Sequence, residues 1–102
     1  MKKTLLVLIL IINSVSLFAY DRIAFDKEQQ RQENIIQLAF SNGNLTQNEY
    51  NKLIRQQEII KEAIEDADLD HHWTKLEYDE VKSMLKKAAK KVNRYQRNRE
   101  HF

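Results

Sequence analysis

Thr74-Lys75-Leu76-Glu77-Tyr78-Asp79-Glu80-Val81-Lys82-Ser83-Met84-Leu85-Lys86-Lys87-Ala88-Ala89-Lys90-Lys91-Val92-Asn93-Arg94-Tyr95 decides the fold class. Val81, Met84, Leu85, Ala88, Val92 and Tyr95 recur three and four residues apart with polar residues between them, which is one apolar stripe on a helix of 3.6 residues per turn. Thr74 stands three residues before Glu77, so its hydroxyl can cap the helix while the Glu77 carboxylate returns to the backbone N–H of Thr74. A stripe of this kind is stable only when another element covers it.

Upstream, Thr46 and Glu49 repeat the capping pattern, and Tyr50, Leu53, Ile54, Ile60, Ala63, Ile64 and Ala67 form a second stripe. Before it, Asn42-Gly43-Asn44 breaks the helical period, because glycine and asparagine tolerate positive φ. A first helix is expected from Asp26 to Phe40, capped by Asp26 with Gln29 reaching back and with Phe25 as a hydrophobic staple. The chain has one glycine and no proline, and no segment alternates polar and apolar residues, so strands have no support. The expectation is an all-α fold, with three helices running up and down and an acidic loop between the second and third.

The N-terminus reads as an address. Lys2 and Lys3 precede an apolar run from Leu5 to Ile12 that continues through Val15, Leu17 and Phe18 and closes on Ala19, the layout of a signal peptide. Asn13, Ser14 and Ser16 interrupt the run before it reaches the length that spans a bilayer, about twenty residues. Residues 1–19 are therefore expected to be removed, leaving one helical domain over residues 20–102 in a periplasmic or secreted location.

Charge and composition then exclude several classes. The sequence holds 17 Lys and Arg against 15 Asp and Glu, and loss of Lys2 and Lys3 leaves the remainder neutral. No nucleic-acid partner is expected from such a balance. There is no cysteine, and only Ser41 and Ser83 remain as serines after residue 19, so no nucleophile sits beside a base at a recognisable spacing and no enzymatic activity is expected. A domain of about eighty residues without disulfides relies on helix packing, self-association or a bound metal.

A shift of 28 residues superposes Leu45 on Trp73, Thr46 on Thr74, Glu49 on Glu77, Tyr50 on Tyr78 and Leu53 on Val81. The second of these turns is Asp66-Ala67-Asp68-Leu69-Asp70-His71-His72-Trp73-Thr74-Lys75-Leu76-Glu77, in which acids occupy the first, third, fifth and twelfth positions. That spacing resembles an EF-hand loop, a calcium site in which six to eight oxygens surround a hard cation. By this resemblance Asp66, Asp68, Asp70 and a bidentate Glu77 are the side-chain ligands. His72 contributes its backbone carbonyl, and Thr74 binds directly or through water. His71 stands where the EF-hand has glycine, and the earlier turn lacks the acids, so the resemblance implies one weak Ca2+ site. Zinc, copper or nickel held by His71, His72, Asp68 and Asp70 is the less favoured alternative, because neighbouring loop side chains diverge. Taken whole, the chain also resembles small exported bacterial helical proteins with paired G-x-[LV]-T-x-x-E turns, of which Gly43 to Glu49 is a complete example.

Lys82, Lys86, Lys87, Lys90, Lys91, Arg94, Arg97 and Arg99 make the third helix basic, with Glu100 the only acid from Lys82 onward. Glu58, Glu62 and Glu65 are expected to lie opposite Lys82 to Lys87 in an antiparallel hairpin. The cations from Lys90 onward pass the acidic stretch and offer a surface for an acidic protein or an anionic membrane.

Overall fold

The computed structural model describes the backbone of residues 2–100 and the side chains of residues 22–97. The expected signal segment, residues 1–19, and its cleavage after Ala19 lie outside the residues whose side chains are described. Three helices follow one another, α1 (Lys2–Ser41), α2 (Gln47–Asp68) and α3 (Lys75–Glu100), and each packs against the other two. The described backbone contains no strand. The all-α, three-helix arrangement is as the apolar periodicity requires. No helix among the described residues is long and apolar enough to cross a membrane.

Two of the three helix starts follow the expected chemistry. Thr46 caps α2, with Glu49 N–H donating to its Oγ1 at 3.1 Å and Thr46 N–H donating to Glu49 Oε1 at 2.8 Å. Thr74 and Glu77 repeat this at α3, at 3.1 and 2.9 Å. The third expectation is corrected. Asp26 does not cap α1, because the helix runs through it without a break. Asp26 instead lies one turn beyond Arg22, at 3.9 Å, and the Gln29 side chain points across the bundle. No glycine or proline precedes Asp26 to break the helix, so a residue with capping chemistry has no terminus to cap.

The repeat of 28 residues extends further than the two turns. Buried residues fall at Phe25, Gln29, Gln32, Ile36 and Ala39 in α1, and at Leu53, Gln57, Ile60, Ile64 and Ala67 in α2. In α3 they fall at Val81, Leu85, Ala88 and Val92, with Tyr95 half-buried in the next place. Each set is spaced four, three, four and three, and each is the previous set moved by 28 residues. Four heptads make one unit, so every helix presents the same seam to its neighbours.

Polar residues interrupt that seam at one level. Gln29 Nε2 donates to Gln57 Oε1 at 3.0 Å, Gln57 Nε2 donates to Gln32 Oε1 at 3.0 Å, and Gln32 Nε2 donates to the Leu85 carbonyl at 3.0 Å. The chain of amides thus crosses all three helices. On one side of it lie Phe25, Ile60, Ile64, Val81, Leu85 and Ala88, and on the other Ile36, Ala39, Leu45, Leu53 and Val92. At the rim, Arg31 donates to Glu28 at 2.6 and 2.8 Å and holds that carboxyl below its ordinary range.

Leu85→Ala should cost about 2–5 kcal/mol, because it removes a buried side chain from a core with little reserve; an unchanged thermal melting curve would mean that the seam is not packed. Gln57→Leu should also destabilise, by about 1–3 kcal/mol, since the amides of Gln29 and Gln32 each lose a partner in the interior. Urea unfolding measures this, and a Gln57→Leu protein more stable than its parent would show that the amide chain contributes nothing.

Candidate functional site

The turn between α2 and α3 begins with the helix ending at Asp68. His71 has φ of 55°, and its N–H donates to the Asp68 carbonyl at 3.0 Å. The earlier turn does the same with Gly43, at φ of 78° and an N–H to Phe40 carbonyl distance of 3.0 Å. There a second bond, Asn44 N–H to the Ala39 carbonyl at 2.8 Å, completes a Schellman motif. In the later turn the corresponding donor, His72 N–H, goes instead to Asp70 Oδ1 at 3.1 Å. Histidine at positive φ costs on the order of 1 kcal/mol relative to glycine, so capping and packing on either side must hold this turn in place.

The six residues singled out by the EF-hand resemblance are placed as follows. Asp66 is still helical, exposed at the last turn of α2. Asp68 Oδ2 lies 3.1 Å from the Arg22 guanidinium, while its Oδ1 accepts from Trp73 Nε1 at 3.3 Å. Asp70 accepts from the backbone of His72, and the His72 side chain is exposed. Thr74 and Glu77 are joined to each other in the capping box. The donor set is rich in oxygen, as calcium requires, but among the described residues no three His, Asp or Glu side chains are grouped to hold a metal ion. Trp73 is half-buried, its ring 5.7 Å from Phe25, which in turn lies 5.1 Å from Tyr78. The loop is therefore tied to the start of the bundle through one salt bridge and one aromatic contact.

A second site lies at the opposite end of the α2–α3 hairpin. Lys87, Lys90, Lys91, Arg94 and Arg97 with Gln56 line an open groove of about 560 Å³. Among the described residues none of these five cations forms an ion pair, although the Lys91 ammonium sits 5.9 Å from the Tyr95 ring. The side chain of Arg99 lies outside the described residues. Gln56 lines this groove, and its Oε1 is buried without a hydrogen-bond partner. The sequence pointed to the cations but not to Gln56, which carries no signal beyond its place one residue before the buried Gln57.

The expected pairing of Glu58, Glu62 and Glu65 with Lys82 to Lys87 is corrected. Those acids form no ion pair with these lysines among the described residues; α2 is tied by charge to α1, through Lys61 to Glu33 at 3.0 Å and Asp68 to Arg22. The heptad seam brings apolar and amide side chains between α2 and α3 and turns the glutamates outward. The acidic and basic stretches thus remain separate surfaces.

Comparison with known proteins finds no family model that matches this chain, and no curated protein or solved structure similar to it.

Proposed function

We propose that this chain is a non-catalytic helical interaction module that docks an acidic protein surface in the cationic groove between α2 and α3. The observation that carries the reading is the set Lys87, Lys90, Lys91, Arg94 and Arg97 around one concave surface, with no described carboxylate neutralising them. Exposed cations on a structural helix are ordinarily interleaved with acids, which gain little but cost nothing. Here the third helix supplies the charge and the second supplies a wall. Val81, Leu85, Ala88 and Val92 of α3 are committed to the core, and Leu76 is the one large apolar side chain that the helix exposes among the described residues, too little to insert into lipid. This favours a protein partner over a membrane.

Soluble poly-glutamate should bind at low salt and dissociate as salt rises, because exposed charges are screened over about 8 Å at physiological ionic strength. Lys91→Glu with Arg94→Glu should weaken that binding at least tenfold in a fluorescence or calorimetric titration. Equal binding by the doubly substituted protein would sink the reading, and stronger retention on anionic vesicles than on poly-glutamate would favour a lipid surface instead.

A second reading, that the loop from Asp66 to Glu77 takes calcium, is supported by one local feature: His71 adopts the positive φ that the EF-hand requires of its glycine. Binding would require Glu77 to leave the Thr74 cap and Asp68 to release Arg22. Such a site belongs near the weak end of the EF-hand range, around 10⁻⁴ to 10⁻³ M. Millimolar calcium should then raise the melting temperature and alter Trp73 emission, with Glu77→Gln abolishing both. No response to calcium, or the same response to magnesium, would leave the loop a capped acidic turn.

A further inference from the structure

The cationic groove is only half of a longer face. Along α2, Lys52, Gln56, Ile59, Ala63 and Asp66 follow one another at spacings of four, three, four and three. Along α3, Glu80, Met84, Lys87, Lys91 and Arg94 do the same. Residues at such spacings lie on one stripe of a helix. The two stripes adjoin, since Gln56 lines a groove with Lys87, Lys91 and Arg94, and Ala63 and Met84 pack on one core cluster.

Because α2 and α3 run in opposite directions, the face has a fixed order. At one end are the exposed carboxylates Asp66 and Glu80; at the other are the exposed cations Lys52 and Arg94 with the half-buried Lys91. Between them Ile59 is 46% exposed, Ala63 and Met84 are half-buried, and the exposed Lys87 stands level with Ile59. Lys52 and Asp66 are about 21 Å apart along a helix rising 1.5 Å per residue. Their charges therefore cannot meet within one molecule, being more than two screening lengths apart at physiological salt.

We propose that the partner docked on this face is a second copy of the chain, turned about a two-fold axis that crosses the face at its midpoint, at Ile59 and Lys87. That rotation lays the carboxylate end of each molecule on the cationic end of the other, twice, and brings Ile59 of one molecule against Ile59 of the other. An isologous contact of this kind closes at two copies. This identity of the partner rests on the reading of the groove as an acid-binding surface, and adds that the chain carries its own complement at the matching distance. A face one helix pair wide and about 21 Å long covers roughly 400 Å² per molecule, half of what a standard interface buries, so the dimer is weak and reversible. Charge complementarity sets its register and its sensitivity to salt.

Sedimentation equilibrium of the purified protein tests this. The dimer mass is expected at low salt and the monomer mass in 1 M salt, where screening acts over about 3 Å. Lys52→Glu with Lys91→Glu and Arg94→Glu makes both ends acidic, and Asp66→Lys with Glu80→Lys makes both ends basic; each protein alone should be monomeric at low salt. Mixed in equal amounts, the two should associate as a heterodimer. A wild type that stays monomeric at low salt while still binding poly-glutamate overturns the second copy as partner and leaves the acid-binding groove standing. A wild type that does neither overturns both. A wild-type dimer whose two reversed variants dimerise on their own, or fail to associate when mixed, places the contact elsewhere and also overturns the proposal.

Discussion

The buried chain of amides through Gln29, Gln57, Gln32 and the Leu85 carbonyl is the constraint on which the bundle depends. Apolar seams of four heptads slide past one another at modest cost, because any leucine or isoleucine can fill the space of another. Amides cannot, since an unpaired one in the interior loses more than a correct pair gains. Only one alignment of the three helices satisfies all three glutamines. That alignment in turn places Phe25 under Trp73 and Tyr78, Arg22 beside Asp68, and Gln56 beside the cations of α3.

Much of this was legible in the sequence where the chemistry is local. The two T-x-x-E boxes act within one turn, so Thr46 with Glu49 and Thr74 with Glu77 could be read directly and are found as read. The stripe from Val81 to Val92 was equally plain. Asp26 misled because capping chemistry is necessary but not sufficient: a cap needs a chain break before it, and Arg22-Ile23-Ala24-Phe25 supplies none. The glutamines were missed for the opposite reason. In a hydropathy pattern Gln57 reads as a gap in the stripe, and only the 28-residue periodicity, followed back from Leu85 through Gln57 to Gln29, marks it as an interior position.

The candidate sites divide along the same line. Which residues carry charge is a property of the sequence, and the cations of α3 and the acids of the second turn stand where they were read. Whether charges meet is a tertiary property, decided by the seam. It turns the α2 glutamates away from the α3 lysines and ties Asp68 to α1, a helix that the composition of the loop does not mention. Glu77 illustrates the conflict: the position that would close a calcium shell is the same position that closes a capping box, and its carboxylate is engaged in the second.

The loss of the amide in the third unit has its own consequence. Units one and two carry glutamine at the matching places 29 and 57, whereas the third carries Leu85 and contributes a backbone carbonyl instead. Helices built on one repeated template are in danger of being taken for one another, either within a chain or between chains that exchange a helix during folding. Here they are distinguishable by what each offers at the shared level: two amide side chains from α1, one from α2 and a backbone carbonyl from α3. If α3 took the place of α1 beside α2, Gln57 would meet a leucine and go unanswered. The substitution that breaks the repeat thus works as an address, by which a nearly symmetric bundle records which of its helices is first and which is last.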